Sequence, residues 1–212
     1  MLLILTHENA DFDAVAAQLA AHKLHPAGTP LLSRRVNRNV NQFLALYWDA
    51  LPFRRPASWR RKRVDEIILV DTQSIPSIRG IRPDTAVTVI DHHQPSKLVT
   101  DWTTYIEPLG SATTLLVEMI RKRGLALPPV EATLLLLGIY EDTGSLNYDS
   151  TTPRDLRAAA WLLEQGAELG VARRFLDVPF TPAQQQLYQE LQKNVEWLRL
   201  EGKVIVLAAL GL

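Results

Sequence analysis

Two short apolar runs that each close on an aspartate constrain this chain more than any other feature. Glu66–Asp71 reads EIILVD and Ala86–Asp91 reads AVTVID. Such runs are too short for a core helix and apolar almost throughout, so they read as strands buried on both faces. Leu2–Thr6 is a third run of this kind, followed at once by polar residues. Helix-like stretches separate or follow them. Asp13–Leu24 sets Val15, Leu19 and either Ala16 or Ala20 on one side, and Val40–Trp48 repeats Val40, Phe43, Leu44 and Tyr47 at three- and four-residue spacing. Gly110–Arg123 and Pro129–Glu141 come next, the latter with a nearly all-apolar LLLLGIY centre. Thr152–Gly166 opens on a Ser or Thr cap with Pro153 in its first turn and stops at Gly166. Buried strands with helices between them describe an α/β fold. Its mostly parallel central sheet is flanked by helices and presents polar groups at the carboxyl edge. Leu31 and Leu32 suggest a further strand, and Pro52–Arg63 is a basic, proline-containing connection. A linker with Gly170 and Pro179 precedes a last helix from Thr181 to Leu200, a turn at Glu201–Gly202 and a strand at Lys203–Leu210.

None of the 212 residues is cysteine. Disulfide scaffolds, thiolate zinc sites and cysteine nucleophiles are excluded, which leaves the chemistry to oxygen and imidazole groups. Lys plus Arg and Asp plus Glu both number 23, so the totals do not announce a nucleic-acid partner. The opening MLLIL has no basic flank, and His7, Glu8, Asn9, Asp11 and Asp13 follow it closely, which fits neither a signal peptide nor a membrane span. The expectations are a cytoplasmic location and no membrane partner. Val204–Leu212 reads VIVLAALGL, where a chain end is usually polar and loosely held. It is either a buried final strand or the point at which a longer protein is cut, and the second is expected.

Titratable residues cluster at the ends of these elements. THENADFDA sets His7, Asp11 and Asp13 in the turn from the first strand to the first helix, where a loop can aim three donors at one point. The same residues suit a polar helix cap, and both readings stay open. Asp71 closes the EIILVD run, where a single aspartate can be incidental. Asp91, His92 and His93 close the next; they fit a ligand with a supporting carboxylate, and also an exposed turn. Asp142 follows the most apolar helix, with Glu141 beside it as a rival. Together Asp11, Asp13, Asp71 and Asp142 carry four negative charges, which two divalent cations balance. A two-metal centre holds its ions about 3.5–4 Å apart around a shared carboxylate and hydroxide. A mixed imidazole and carboxylate shell suits manganese, magnesium or zinc.

HENADFD at 7–13, VD at 70–71, DHH at 91–93, GSATT at 110–114 and GIYEDTGSLNY at 138–148 resemble, in order and spacing, the motifs of the DHH phosphoesterase superfamily. The resemblance is nearest to the branch of bacterial oligoribonucleases and exopolyphosphatase-like proteins, which includes fusions with CBS domains and an RNA nucleotidyltransferase. It implies a DHH-type N-terminal domain over residues 1–180, then a linker helix and the first strand of a second domain over 181–212. The glycine-rich, histidine-containing segment typical of that second domain does not occur in the chain. The resemblance also implies roles. His7 and Asp11 would hold one cation, Asp13, His92 and Asp142 the other, and Asp71 would bridge them. Asp91 would orient His92 or its neighbours, and His93 would face the substrate phosphate. The implied cofactors are two divalent cations, Mn2+ first and Mg2+ second. The implied function is hydrolysis of phosphodiester bonds in short oligonucleotides or dinucleotides by a hydroxide activated between two metals. The alternatives are a pyrophosphate or short-polyphosphate hydrolase, and a non-catalytic metal- or nucleotide-binding module of a larger RNA-processing protein. The expected partners are a phosphoester substrate and a C-terminal substrate-binding domain, with a homodimer as an open option.

Weaker candidates remain. Arg34, Arg35, Asn37 and Arg38 could contact a phosphate chain or form a solvated face. Ser111 and Thr113 sit where a helix cap is useful and a phosphate contact is conceivable. Arg54, Arg55, Arg60, Arg61, Lys62 and Arg63 interleave with Phe53 and Trp59, a pattern that can stack bases but that a surface linker shares; the linker is the preferred reading.

Overall fold

The computed structural model describes residues 1–60, 63–94, 101–176, 180–201 and 203–209, and the chain divides into Met1–Leu176 and Asp177–Leu212. In the first unit, β1 (Leu2–Leu5), β2 (Thr29–Pro30), β3 (Glu66–Val70), β4 (Ala86–Asp91) and β5 (Thr103–Ile106) form one sheet in the order β2-β1-β3-β4-β5. Every pairing is parallel, with Leu3 opposite Ile67, Leu69 opposite Val89 and Ile90 opposite Tyr105. All strands therefore end at one edge. The chain leaves β1 towards β2 on one side and later enters β3 on the other. The loops after β1 and β3 diverge there, which opens a crevice at the carboxyl edge.

The helices are α1 (Phe12–Leu24), α2 (Arg38–Tyr47), α3 (Ala112–Lys122), α4 (Pro129–Asp142), α5 (Pro153–Glu164) and α6 (Leu169–Leu176). Because successive strand residues point to opposite faces, Ile4, Ile68, Val70 and Ile90 meet the helical layer. Leu3, Leu5, Ile67, Leu69, Val87 and Val89 pack on the other side, where Trp59, Ile78, Ile81 and Trp102 close the layer. α1 is buried almost all round and presents small alanines to α3 and α4. A methyl added to Gly138 of α4 would lie 2.6 Å from Ala16 Cβ of α1 and 2.7 Å from Thr113 Oγ1 of α3. This close approach carries the end of α4, with Asp142, to the start of α1. Asp155 ties the loop before α3 to α5. It is wholly buried, and its carboxylate accepts from Gly110 N at 3.1 Å, Thr152 N at 2.7 Å, Thr152 Oγ1 at 2.7 Å and Thr114 Oγ1 at 2.6 Å.

The second unit has α7 (Pro182–Lys193), begun by a Thr181–Gln184 capping box, and an antiparallel pair of strands, β6 (Val195–Leu200) and β7 (Lys203–Ala208). The expected helix to Leu200 thus ends at Lys193. VEWLRL contains good helix formers, but pairing with KVIVLA overrides local propensity. Four smaller differences lie in the first unit. The strand expected at Leu31–Leu32 lies at Thr29–Pro30, and Leu31 makes only an isolated bridge to Arg54. β5 and α6 were not expected: β5 is a short, mostly exposed edge strand, and α6 runs through Gly170 where a linker was read. α2 begins two residues early and Trp48 opens a short 3-10 turn, Trp48–Ala50. The sequence readings at Arg61, Lys62, Pro179, Gly202 and Leu210 fall outside the described residues. Among those described, no helix is long and apolar enough to cross a membrane.

Candidate metal centre

The crevice between β1 and β3 gathers the predicted ligands from five segments. After β1 the chain turns through Asn9, whose φ of 60° lies in the left-handed region, and is pinned where Ala10 N donates to Arg35 O at 3.1 Å and Asn37 N donates to Ala10 O at 2.8 Å. His7 and Asp11 lie on this turn. Asp11 caps α1 by accepting from Ala14 N at 3.0 Å, while its Oδ1 is 3.8 Å from His7 Nε2. The cap and the ligand readings are therefore compatible. Two residues on, Asp13 is fully buried, and its two oxygens accept from Ala112 N at 2.8 Å and Thr113 N at 3.0 Å at the start of α3. Glu141, the rival to Asp142, instead accepts from Phe12 N and fastens α4 to α1.

Asp71 stands at the centre. Its φ of 52° puts a non-glycine residue in the left-handed region, a strained state that surrounding structure must hold. Asp71 Oδ2 is 3.2 Å from His7 Nε2, and Asp71 Oδ1 is 3.5 Å from His92 Nε2. His92 Nε2 is also 3.2 Å from Asp142 Oδ2 and 3.9 Å from Asp13 Oδ2. Two donor sets result, His7–Asp11–Asp71 and Asp13–Asp71–His92–Asp142, each with its ligand atoms within 4.8 Å of one another. A third set of the same compactness adds Asp91 and His93 to Asp71 and His92.

The rings are aimed by their other nitrogens. His92 Nδ1 lies 3.0 Å from Leu109 O and His7 Nδ1 lies 2.8 Å from Glu8 O. A carbonyl only accepts, so both Nδ1 atoms carry a proton, and each ring turns its Nε2 into the crevice, where it can serve a cation once it gives up its own proton. Asp91 is buried; its Oδ1 accepts from His92 N at 2.8 Å and His93 N at 3.2 Å and lies 3.0 Å from His93 Nδ1. It therefore orients the turn and the His93 ring, not the His92 ring. Gln73 Nε2 holds Asp91 Oδ2 at 2.8 Å and also donates to His93 O at 3.0 Å. Nothing in the sequence marked Gln73 or Leu109. Their roles come from proximity alone. His93 packs against His92, with ring centroids 4.1 Å apart, and its side chain is 62% exposed at the rim.

Asp71 Oδ1 and His92 Nε2 are buried, face each other at 3.5 Å and have no hydrogen-bond partner. A buried carboxylate oxygen and a buried ring nitrogen left without partners beside three more carboxylates fit a divalent cation, and the oxygen–imidazole set fits manganese, magnesium or zinc. Without a cation, protons take that place. Asp71 raises the His7 imidazole to about 9, mainly through its hydrogen bond. Burial opposes charge on His92, but Asp142 and Asp71, with Asp13, outweigh it and lift the ring to about 11. Burial and the neighbouring Asp71 and Asp142 charges push the Asp13 carboxyl well up. Burial also works against charge on Asp71, yet His7 and His92 hold its carboxyl below the ordinary value.

Of the substrate candidates, Arg34, Arg35, Asn37 and Arg38 are exposed on the segment joined to the Ala10 turn. Ser111 and Thr113 are fully buried. Ser111 caps α3 by accepting from Thr114 N at 3.1 Å, and Thr113 Oγ1 donates to Asp13 O at 3.3 Å. Ser111 is thus a cap and Thr113 a tie to the α1 backbone, and both hydroxyls are enclosed away from any phosphate.

A family model described as the DHH family, N-terminal domain, matches residues 1–139. An A-adding tRNA nucleotidyltransferase of Geobacter sulfurreducens is 37% identical over 215 residues, covering 98% of this chain and 24% of that protein. A protein of Streptococcus equi subsp. equi named a probable manganese-dependent inorganic pyrophosphatase is 29% identical over 170 residues, 77% of this chain and 55% of its own. Among solved structures, an exopolyphosphatase-related protein from Bacteroides fragilis superposes with a TM-score of 0.72 at 17% identity, covering 92% of this chain and 61% of that one. The chain thus spans about a quarter of the nucleotidyltransferase and about half of the streptococcal protein.

Proposed function

The chain belongs to the DHH family, and from that premise we propose that its crevice is a manganese-dependent hydrolase centre for pyrophosphate or short polyphosphate. The observation that carries the reading is Asp71, whose two oxygens serve two separate donor sets. His7, Asp11 and Asp71 would hold one cation, and Asp71, Asp13, His92 and Asp142 the other. When bound, such a pair lowers the pKa of a shared water and neutralises charge on the phosphoryl oxygens. The remaining work falls to the protein. The Leu109 and Glu8 carbonyls fix the imidazoles, and the α3 amides fix Asp13. His93, braced by Asp91 and Gln73, reaches the rim, where its protonated form can donate to a phosphate oxygen or leaving phosphate.

Short oligonucleotides were the first expectation. Two considerations reverse that order. The streptococcal relative bears a pyrophosphatase name and matches 77% of this chain. Nucleotidyl transfer from a nucleoside triphosphate, the chemistry in the Geobacter relative's name, also leaves pyrophosphate, whose removal pulls such a reaction forward. The test is phosphate release from pyrophosphate, tripolyphosphate and a dinucleotide with manganese. Faster turnover of either anhydride, lost in Asp71→Asn, is expected. Faster cleavage of the dinucleotide would restore the phosphodiesterase reading. Two bound manganese ions with no turnover of any substrate would make the centre a binding module.

A further inference from the structure

Beyond β2, on the flank of the sheet, two cavities adjoin. One of about 540 Å³ is lined in part by Arg34, Asn41, Trp48 and Arg55. The other, of about 240 Å³, is lined in part by Arg34, Trp59 and Arg79. Arg34 and Pro56 line both, so the two meet around the β2 edge as one groove, the first on the helical side with Leu32 and Leu44 and the second on the opposite side with Leu31 and Ile78. Among the described residues, no carboxylate lines either part. Among the described residues, the arginines in ion pairs are Arg63 and Arg154. The three groove arginines are thus left unneutralised in a chain whose acids and bases balance.

The fold builds this arrangement. Arg54 pairs through its backbone with the segment after β2, with Arg54 N donating to Pro30 O at 2.9 Å and Leu32 N to Arg54 O at 3.0 Å. That pairing sets Arg55 over the Trp48 ring, with its guanidinium carbon 4.4 Å from the ring centroid. Trp59 is fixed by its indole N–H, which donates to Arg79 O at 3.1 Å. The inner end of the segment is joined to the metal centre, because Arg35 O and Asn37 N bond to Ala10 on the turn that carries His7 and Asp11.

Cations alone would suit any polyanion. Indoles held in place beside unpaired guanidinium groups suit a ligand with both flat apolar faces and phosphates. Nucleobases stack on aromatic rings and on guanidinium planes alike. We propose that this groove binds a single-stranded nucleic-acid segment, with bases on Trp59 and on the Arg55–Trp48 pair and phosphates at Arg34, Arg55 and Arg79. This goes beyond the hydrolase reading and does not rest on it, since the strand is held and not cut.

The test is fluorescence anisotropy of labelled, cleavage-resistant phosphorothioate hexauridylate and hexathymidylate on the 212-residue chain with manganese, repeated across a salt series. Arg34→Gln, Arg55→Gln and Arg79→Gln should each weaken binding and reduce the logarithmic salt slope by about 0.7. Trp59→Leu, which keeps an apolar group at this half-buried site, should weaken binding roughly tenfold with the slope unchanged. Arg121→Gln with Lys122→Gln, at the exposed end of α3, should alter neither. Preference for the RNA or the DNA strand identifies the ligand, and this pattern with either supports the groove. Absence of binding at low salt would overturn the proposal. So would equal weakening by the α3 control. A Trp59→Leu variant that binds normally, with tripolyphosphate competing fully, would reduce the groove to a general anion site and overturn it too.

Discussion

Replacing Gly138 with alanine should disturb the fold and the metal centre together. The added methyl would start 2.6 Å from Ala16 Cβ and 2.7 Å from Thr113 Oγ1. Carbon atoms pack at about 3.5–4.0 Å, so α4 must move by about 1 Å relative to α1 or α3. Overpacking of this kind costs about 1–3 kcal/mol, against which the better helix propensity of alanine returns about 1 kcal/mol. A net loss of up to about 2 kcal/mol is expected from urea unfolding of the metal-free protein. Asp142 lies one turn further along the same helix and shares in the shift. Displacement by about 1 Å can cost on the order of a hundredfold in rate, so turnover should fall by about that factor. Calorimetric titration should show the Asp13–His92–Asp142 cation weakened more than the His7–Asp11 cation. Gly170→Ala in α6 is the control, because an added methyl there meets nothing within 4 Å. It should be neutral or stabilising by up to about 1 kcal/mol. A Gly138→Ala protein as stable as that control, with unchanged affinity for two ions, would refute the claim that helix spacing sets the site.

His93→Ala should lower phosphate release by about 10²–10⁴-fold while both manganese ions still bind, as calorimetry on the same protein would report; loss of an ion would make His93 a ligand. Asp155→Ala strips four donors of a buried acceptor and should cost more than about 3 kcal/mol in urea unfolding, with Asp155→Asn milder. In the metal-free protein His7 is raised from 6.5 to about 9, chiefly by its bond to Asp71. A raised value means that its stabilising contribution is complete below pH 6.5 and lost as pH rises through about 9. A cation takes the nitrogen that the proton leaves, so manganese affinity should climb across that window, and calorimetry at pH 6.5, 7.5 and 9 would check it.

The sheet was legible because EIILVD and AVTVID are buried on both sides and advertise it in composition alone. β5 was not, because Thr103, Thr104 and Tyr105 lie exposed on an edge and carry no apolar signature. β6 depends on a partner strand, and local propensity pointed the other way. At the centre, acids at element ends marked Asp71, Asp91 and Asp142. The parts that aim them were hidden. A backbone carbonyl at Leu109 has no residue type to betray it, and Gln73 acquires its role only when β3 and β4 lie side by side. Asp13 was legible as an acid but not as the acceptor for the first amides of α3.

The donors come from positions 7, 11, 13, 71, 92 and 142, so ions gripping them would close loops through most of the first unit. An unfolded chain offers no such convergence, and each cation selective for the native state would add about 2.7 kcal/mol of stability at a hundredfold excess over its dissociation constant. In a chain without cysteine, the metals would act as a removable staple. Chelation would undo it where a disulfide needs a reductant, and the persistence of the folded domain would follow the manganese supply of its surroundings.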